Sequence, residues 1–218
     1  FDRESYLEYI SYTGFADPNG ISANDLAPAY KVYFITSARS GDVPSNFYTW
    51  DNIDSKMLDK IEICYGDCVS SNIVRSYDLG YTLASVPNPN GTITLTSLKT
   101  TGGGYTDNGQ TIAPVDAPTI QFSYQNLDNH AVTGSTDKFI YPRLVSMDNG
   151  AGGLLTYTYE NDARGTNSWY NYRVKQVRVA SGMGTAALHS YAYLTPVYTG
   201  LSGNASLGDL IGYTTVTE

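Results

Sequence analysis

Leu58-Asp59-Lys60-Ile61-Glu62-Ile63-Cys64-Tyr65 and, after a short break, Ile73-Val74-Arg75-Ser76-Tyr77-Asp78-Leu79-Gly80-Tyr81-Thr82 decide the fold class. Both runs alternate. In the first, Ile61, Ile63 and Tyr65 fall on one side and Lys60, Glu62 and Cys64 on the other. In the second, Ile73, Tyr77, Leu79 and Tyr81 oppose Ser76, Asp78 and Gly80, and Arg75 is the charged intruder on the apolar side. A period of two is the period of a pleated strand with one face turned to apolar surroundings. The connection between them is short and carries Gly66-Asp67, so the two runs predict an antiparallel hairpin.

The same reading extends outward to Ser5–Thr13, Ala29–Thr36, Thr92–Lys99, Pro118–Tyr124, Phe139–Ser146, Leu154–Glu160, Tyr170–Ala180, Leu188–Leu194 and Leu210–Thr217 as further strands. Between them lie clusters that accept positive φ or break a ladder: Asp17-Pro18-Asn19-Gly20, Pro87-Asn88-Pro89-Asn90-Gly91, Gly102-Gly103-Gly104 and Asp148-Asn149-Gly150-Ala151-Gly152-Gly153. Two stretches, Ser37–Lys56 and Thr100–Ala117, exceed what a turn needs and read as surface elaborations or short helical insertions. No stretch holds a helical hydrophobic period beyond two turns, and no composition shift marks a boundary. The chain therefore reads as all-β, antiparallel hairpins in series forming one large twisted sheet over residues 1–218.

Composition agrees. Tyrosine dominates the aromatics, with 20 Tyr against 6 Phe and 2 Trp, and a tyrosine ring packs on a half-buried sheet while its hydroxyl stays near water. The net charge of −8 disfavours nucleic acid, whose phosphates must be neutralised by cations, and an anionic membrane surface for the same reason. No apolar run approaches the about 20 residues that a spanning helix requires. Phe1-Asp2-Arg3 reads as an interior start, and the uncharged run Leu210–Thr217 stops without punctuation, so the expectation is a segment of a longer chain.

Cys64 and Cys68 lie in Cys64-Tyr65-Gly66-Asp67-Cys68. A small disulfide across the hairpin tip is the favoured reading, since the Gly-Asp turn brings the two positions together, and it points to an oxidising, secreted or cell-surface setting. Two unpaired thiols are the alternative. A metal site ranks last because no histidine or third cysteine is near in sequence. Asn90-Gly91-Thr92 and Asn204-Ala205-Ser206 are N-glycosylation sequons at Asn90 and Asn204, of a kind a Ser/Thr-rich chain also produces by chance.

Tyrosine recurs near strand ends, in Ser11-Tyr12-Thr13, Ser76-Tyr77-Asp78, Ser123-Tyr124-Gln125, Tyr157-Thr158-Tyr159 and Ser190-Tyr191-Ala192-Tyr193. Chance similarity in a tyrosine-rich protein is one account; a serial array of tyrosine-ended hairpins is the other. Leu58–Ile63 followed by Ile73–Thr82 resembles the paired-strand units of Rhs/YD-repeat proteins, an "LxxIxV"-like strand followed by an "xxRxYxLxY" strand. Ala29-Tyr30-Lys31-Val32-Tyr33-Phe34 with Ser37-Ala38-Arg39-Ser40-Gly41-Asp42 resembles the segment preceding such a unit. Asp148–Tyr159 looks like the family's Asn-Gly-x-Gly-Gly strand, followed in order by Trp169-Tyr170-Asn171-Tyr172-Arg173-Val174 and Ser181-Gly182-Met183-Gly184. The tyrosine-aspartate signature occurs once, at Tyr77-Asp78, and the spacing is irregular. The resemblance implies a segment of a β-sheet that spirals into a hollow shell around a C-terminal toxin or effector domain. Its partners would be flanking segments of its own chain and the enclosed cargo.

Signals for catalysis are thin. His130 and His189 are far apart and neither has a zinc-ligand spacing; no nucleophile elbow, Walker or dinucleotide glycine pattern occurs, so no cofactor is expected. Glu160 and Asp162 have the residue types of a glycosidase pair, and solvated loop acids are the plainer account. Asp17, Asp107 and Asp148 sit beside Asn and Gly, which suits a turn better than a calcium loop without Asp-x-Asp-x-Asp-Gly spacing. Trp50, Trp169, Tyr170 and Tyr172 are candidates for a sugar-stacking platform, against packing on the sheet. The expectation is a non-enzyme, with a surface adhesin or carbohydrate-binding module, or a filament subunit pairing with other copies, as the competing functions.

Overall fold

The computed structural model describes residues 5–16, 18–20, 25–47, 50–69, 71–83, 93–107, 110–128, 140–161, 172–198 and 210–218. Among them there is no helix, and nearly every element is an antiparallel strand paired with its sequence neighbour. The chain divides into two compact units, Phe1–Leu83 with Asn90–Ile120, and Gln121–Glu218 with Ala84–Pro89.

The first unit is a meander of β1 (Tyr9–Tyr12), β2 (Tyr30–Phe47), β3 (Trp50–Tyr65), β4 (Ile73–Leu83) and β5 (Ile93–Gly102), each antiparallel to the next. The predicted hairpin is there: Ile61 faces Tyr77 and Ile63 faces Arg75. The described residues of 37–56 form no helical insertion. β2 and β3 run on through them, pairing out to Phe47 with Trp50, with an irregularity between Ala38 and Val43. Val43 and Ile53 lie in that extension, and two long strands satisfy each other's backbone groups where a loop would leave them to water. The described part of residues 100–117 holds strands as well: β5 ends there, β6 (Tyr105–Asp107) and β7 (Gln110–Ile112) form a small hairpin, and β8 (Val115–Asp116) pairs with the end of β5.

The second unit repeats the meander with β9 (Ile120–Asp128), β10 (Ile140–Asp148), β11 (Leu154–Asn161), β12 (Tyr172–Ala180) and β13 (Ala187–Ser190). β14 (Ala192–Tyr198) and β15 (Leu210–Thr217) form a hairpin of their own. The strand expected over Leu188–Leu194 is thus two, broken at Tyr191, whose N–H donates to the Lys175 carbonyl. At the tips of β10–β11 and β12–β13, glycine meets glycine. Gly182 has φ +77°, and a β-carbon there would lie 2.7 Å from the Gly152 carbonyl oxygen, so only glycine fits both constraints.

The sheet faces are unlike. On the apolar side of β3, β4 and β5, Ile61, Ile63, Tyr77, Leu79 and Leu98 are all half-buried. The side chains buried among the described residues, Cys64, Ser76 and Thr94, lie on the other side of the sheet. The opposite side of the same strands carries charge. Lys60 pairs with Glu62 at 2.9 Å and approaches Asp78 at 3.6 Å, Lys99 lies across from Asp78, and Lys99 pairs with Asp116 at 2.8 Å. Charges of alternating sign therefore cross three neighbouring strands, and each is solvated or partnered.

Candidate functional site: a repeated tyrosine clasp

The feature that recurs is a bulge with a tyrosine beside it. On β3 the pairing with β2 passes from Ile35–Lys60 to Thr36–Leu58, which leaves Asp59 as an extra residue. Pairing of β3 with β4 ends at Lys60–Asp78, and the Leu58 carbonyl accepts the Tyr81 hydroxyl at 2.7 Å. On β10 the extra residue is Val145, pairing with β11 ends at Ser146–Thr156, and the Leu144 carbonyl accepts the Tyr159 hydroxyl at 2.7 Å. On β12 the extra residue is Lys175, pairing with β13 ends at Gln176–Ser190, and the Val174 carbonyl accepts the Tyr193 hydroxyl at 2.6 Å.

The register is the same each time. The tyrosine stands three residues beyond the last ladder partner, and its hydroxyl reaches the carbonyl on the far side of the bulge. A bulge disrupts the ladder locally and twists the strand. The tyrosine restores a donor at that point, beyond the reach of the next strand's own N–H groups.

The steps also connect. Tyr81 faces Leu95 on β5, just before the extra residue Thr96; Tyr124 faces Leu144, just before Val145; Tyr159 faces Val174, just before Lys175. Each of these tyrosines therefore marks the place where the following strand bulges. Burial pushes the hydroxyl pKa of Tyr81, Tyr124, Tyr159 and Tyr193 above the ordinary tyrosine value, since the phenolate would lose hydration in these sites. Gly80 sits beside the Thr96 bulge, where a β-carbon would collide with the Ser97 hydroxyl, and the Thr96 hydroxyl donates to the Gly80 carbonyl at 3.1 Å.

In the second unit an arginine completes the clasp. Arg173 donates from Nε to Glu160 at 2.9 Å, and its guanidinium lies 4.6 Å from the Tyr193 ring centroid and 4.8 Å from that of Tyr213. The two rings are 4.9 Å apart. Strands β11, β12, β14 and β15 thus meet at one cation, which fixes the β14–β15 hairpin to β12.

The sequence-predicted residues fall out as follows. Cys64 and Cys68 form a disulfide with Cα atoms 5.3 Å apart, Cys64 fully buried. Asp148 accepts the Gly150 N–H at 2.8 Å, and the adjacent Asn149 accepts from Ala151 and Gly153, which is a hydrogen-bonded turn. Glu160 accepts from Arg173, and its sequence-paired Asp162 lies outside the described residues. His189 pairs with Glu218. Trp50 begins β3 and Tyr172 begins β12, in different units, while Trp169 and Tyr170 lie outside the described residues. Asp107 ends β6; Asp17, His130, Asn90 and Asn204 also lie outside them.

The tyrosine steps were only half visible in the sequence. Leu58-Asp59-Lys60-Ile61, Leu95-Thr96-Ser97-Leu98, Leu144-Val145-Ser146-Met147 and Val174-Lys175-Gln176-Val177 share an apolar-x-x-apolar pattern, each followed by a tyrosine strand or preceded by one. The signal was this pattern taken together with the tyrosines. No protein-family model matches the chain, and no curated protein matches it.

Proposed function

We propose that this chain is a non-catalytic structural segment of an Rhs/YD-repeat-type β shell, secreted or at the cell surface, that encloses or presents a C-terminal toxin or effector. The observation that carries the reading is the recurrence of one strand-bulge-tyrosine step in both units. A step that hands its register to the next strand extends a sheet serially and builds a wall. The half-buried apolar side of β3–β5 supports the enclosure part of the reading, because such a face is satisfied by a polypeptide lying against it. Arg173, Glu160, His189 and Glu218 are engaged in pairs that hold strands together, which is the use a structural segment makes of charge.

The test is protection. With this chain in its natural polypeptide, sequence downstream of the sheet should resist added protease until the sheet is unfolded. Cleavage at the rate of the free downstream polypeptide would contradict enclosure. Turnover of a glycan, ester or peptide, abolished by one substitution in this chain, would contradict the non-catalytic reading.

A further inference from the structure

We propose that reduction of the Cys64–Cys68 disulfide creates a divalent zinc-class metal site whose third ligand is Glu62. The ligand atoms of Glu62, Cys64 and Cys68 lie within 4.8 Å of one another. Glu62 and Cys64 are two apart on β3, so the pleat puts their side chains on one face, and Cys68 returns to that face through the turn. The sequence hides this set, because a metal reading looks for a histidine or another cysteine, and the third donor is a carboxylate belonging to the strand.

The site is built to a degree unusual for surface acids. Cys64 is fully buried, and the Glu62 side chain is only 13% exposed. Glu62 holds Lys60 at 2.9 Å, and Lys60 has a second carboxylate, Asp78, at 3.6 Å. The ammonium can therefore pass to Asp78 when a cation takes Glu62. Cys64 is anchored in β3, whereas Cys68 lies in the loop after Gly66, whose φ of +70° turns the chain. With the S–S bond broken, rotation of the Cys68 side chain about χ1 can take the sulfurs to the spacing two thiolates need around one ion, about 2.3 Å from each. Water on the open Cys68 side would complete four-coordination.

The chemistry balances. A phosphine and water reduce the disulfide, giving phosphine oxide and two thiols. Each thiol then loses its proton as the metal binds. In the disulfide form the sulfurs are bonded to each other and are not thiolates, so the oxidised chain lacks the site. Metal occupancy thus reports the compartment: absent where disulfides persist, formed where thiols are kept reduced.

The experiment uses the full chain, reduced anaerobically with a phosphine and titrated with cobalt(II), with zinc(II) as competitor. The reduced chain should bind one cobalt with a thiolate-to-cobalt charge-transfer band, released by zinc; the oxidised chain should show no band. Glu62→Gln should weaken cobalt binding by about tenfold or more, the scale on which even ligand-supporting groups act. Cys68→Ser should lose about half the charge-transfer intensity per bound metal, since it removes one of two thiolates. Should Glu62→Gln fail to fold, Lys60→Met keeps the test alive, because freeing Glu62 should tighten binding. No thiolate band in the reduced chain, or a band of equal affinity in Glu62→Gln, would overturn the proposal.

Discussion

Tyrosines at two places in this molecule do different work. Along β1, β2 and β3 they form a ladder on the surface: Tyr9 on Tyr33 with ring centroids 5.4 Å apart, Tyr12 on Tyr30 at 5.5 Å, and Tyr30 against Tyr65 at 5.4 Å. Tyr9, Tyr12 and Tyr65 are all exposed. At the clasps, Tyr81, Tyr159 and Tyr193 turn the hydroxyl inward to a carbonyl beside a bulge. The ladder contributes ring contact, which any aromatic supplies. The clasp contributes a donor, which only the hydroxyl supplies. The difference lies in the neighbouring strand: at each clasp the pairing stops beside a bulge and the hydroxyl supplies the donor, whereas at the Val74 bulge the Gly103 N–H supplies it.

Removing hydroxyls separates the two most strongly. Tyr81→Phe, Tyr159→Phe and Tyr193→Phe combined should cost about 3–4.5 kcal/mol, at about 1–1.5 kcal/mol per lost hydrogen bond to a part-buried carbonyl. Tyr9→Phe, Tyr12→Phe and Tyr65→Phe combined should stay within about 1 kcal/mol of the parent. Urea unfolding monitored by circular dichroism measures both, and equal losses would break the comparison.

A smaller effect is expected at Arg173. Arg173→Leu removes the pair with Glu160 and the contact with two rings, and should cost about 1–2 kcal/mol. The loss should appear first as faster hydrogen exchange in β14 and β15, since this cation is one of the contacts, with the Tyr193 hydroxyl on Val174 and the His189–Glu218 pair, that hold those strands to the rest of their unit. Uniform acceleration across β9–β12 would show that Arg173 is a general support and no part of the clasp.

Alkali should sharpen the same distinction. The clasp hydroxyls have folded-state pKa values raised above the ordinary value of 10.0 by burial. Their contribution is complete below the unfolded pKa, declines as pH rises past about 10, and is lost above the folded value. Stability should therefore fall between pH 10 and higher values, and the triple clasp variant should show a flatter alkaline limb. An unchanged limb in that variant would assign the alkaline loss to other groups.

The smallest effect is expected on the charged face. Lys99→Met breaks an exposed pair with Asp116 and should change stability by less than about 1 kcal/mol, with the difference shrinking further in high salt. At the acidic end, Lys31 holds the Asp67 carboxyl and Lys99 the Asp116 carboxyl below the usual value of 3.8. What these pairs contribute is present above the unfolded carboxylate pKa and is lost as pH falls through the folded one. Both carboxylates are solvent-exposed, so the acid limb should be shallow.

Alternation carried most of the fold into the sequence. Ile61, Ile63, Tyr77 and Leu79 announced a strand pair, and the Gly-Asp turn placed Cys64 and Cys68 together. The long β2–β3 extension was illegible because Ser40-Gly41-Asp42 and Pro44-Ser45-Asn46 are turn-forming residues, and each long strand holds its partner despite local propensity. The clasp was legible only in part. Tyrosine recurrence is visible in the sequence, but a bulge is a mismatch between two strands, and neither strand alone reveals it. Glu62 as a metal ligand was hidden for a related reason: its partner Cys68 reaches it through the fold.

The central claim, a wall whose apolar side faces an enclosed polypeptide, is tested most directly by two cysteines on opposite sides of β4. Asp78→Cys lies on the charged face and Leu79→Cys on the apolar face, and the chain's own two cysteines are bonded and silent. A small maleimide is added to the natural polypeptide that contains this chain, and labelling is followed by mass. The account predicts rapid labelling at position 78 and labelling at position 79 that is slower by about tenfold or more, the gap closing once the sheet is separated from the rest of its polypeptide. Equal rates at the two positions in the intact polypeptide, or faster labelling at position 79, would contradict it.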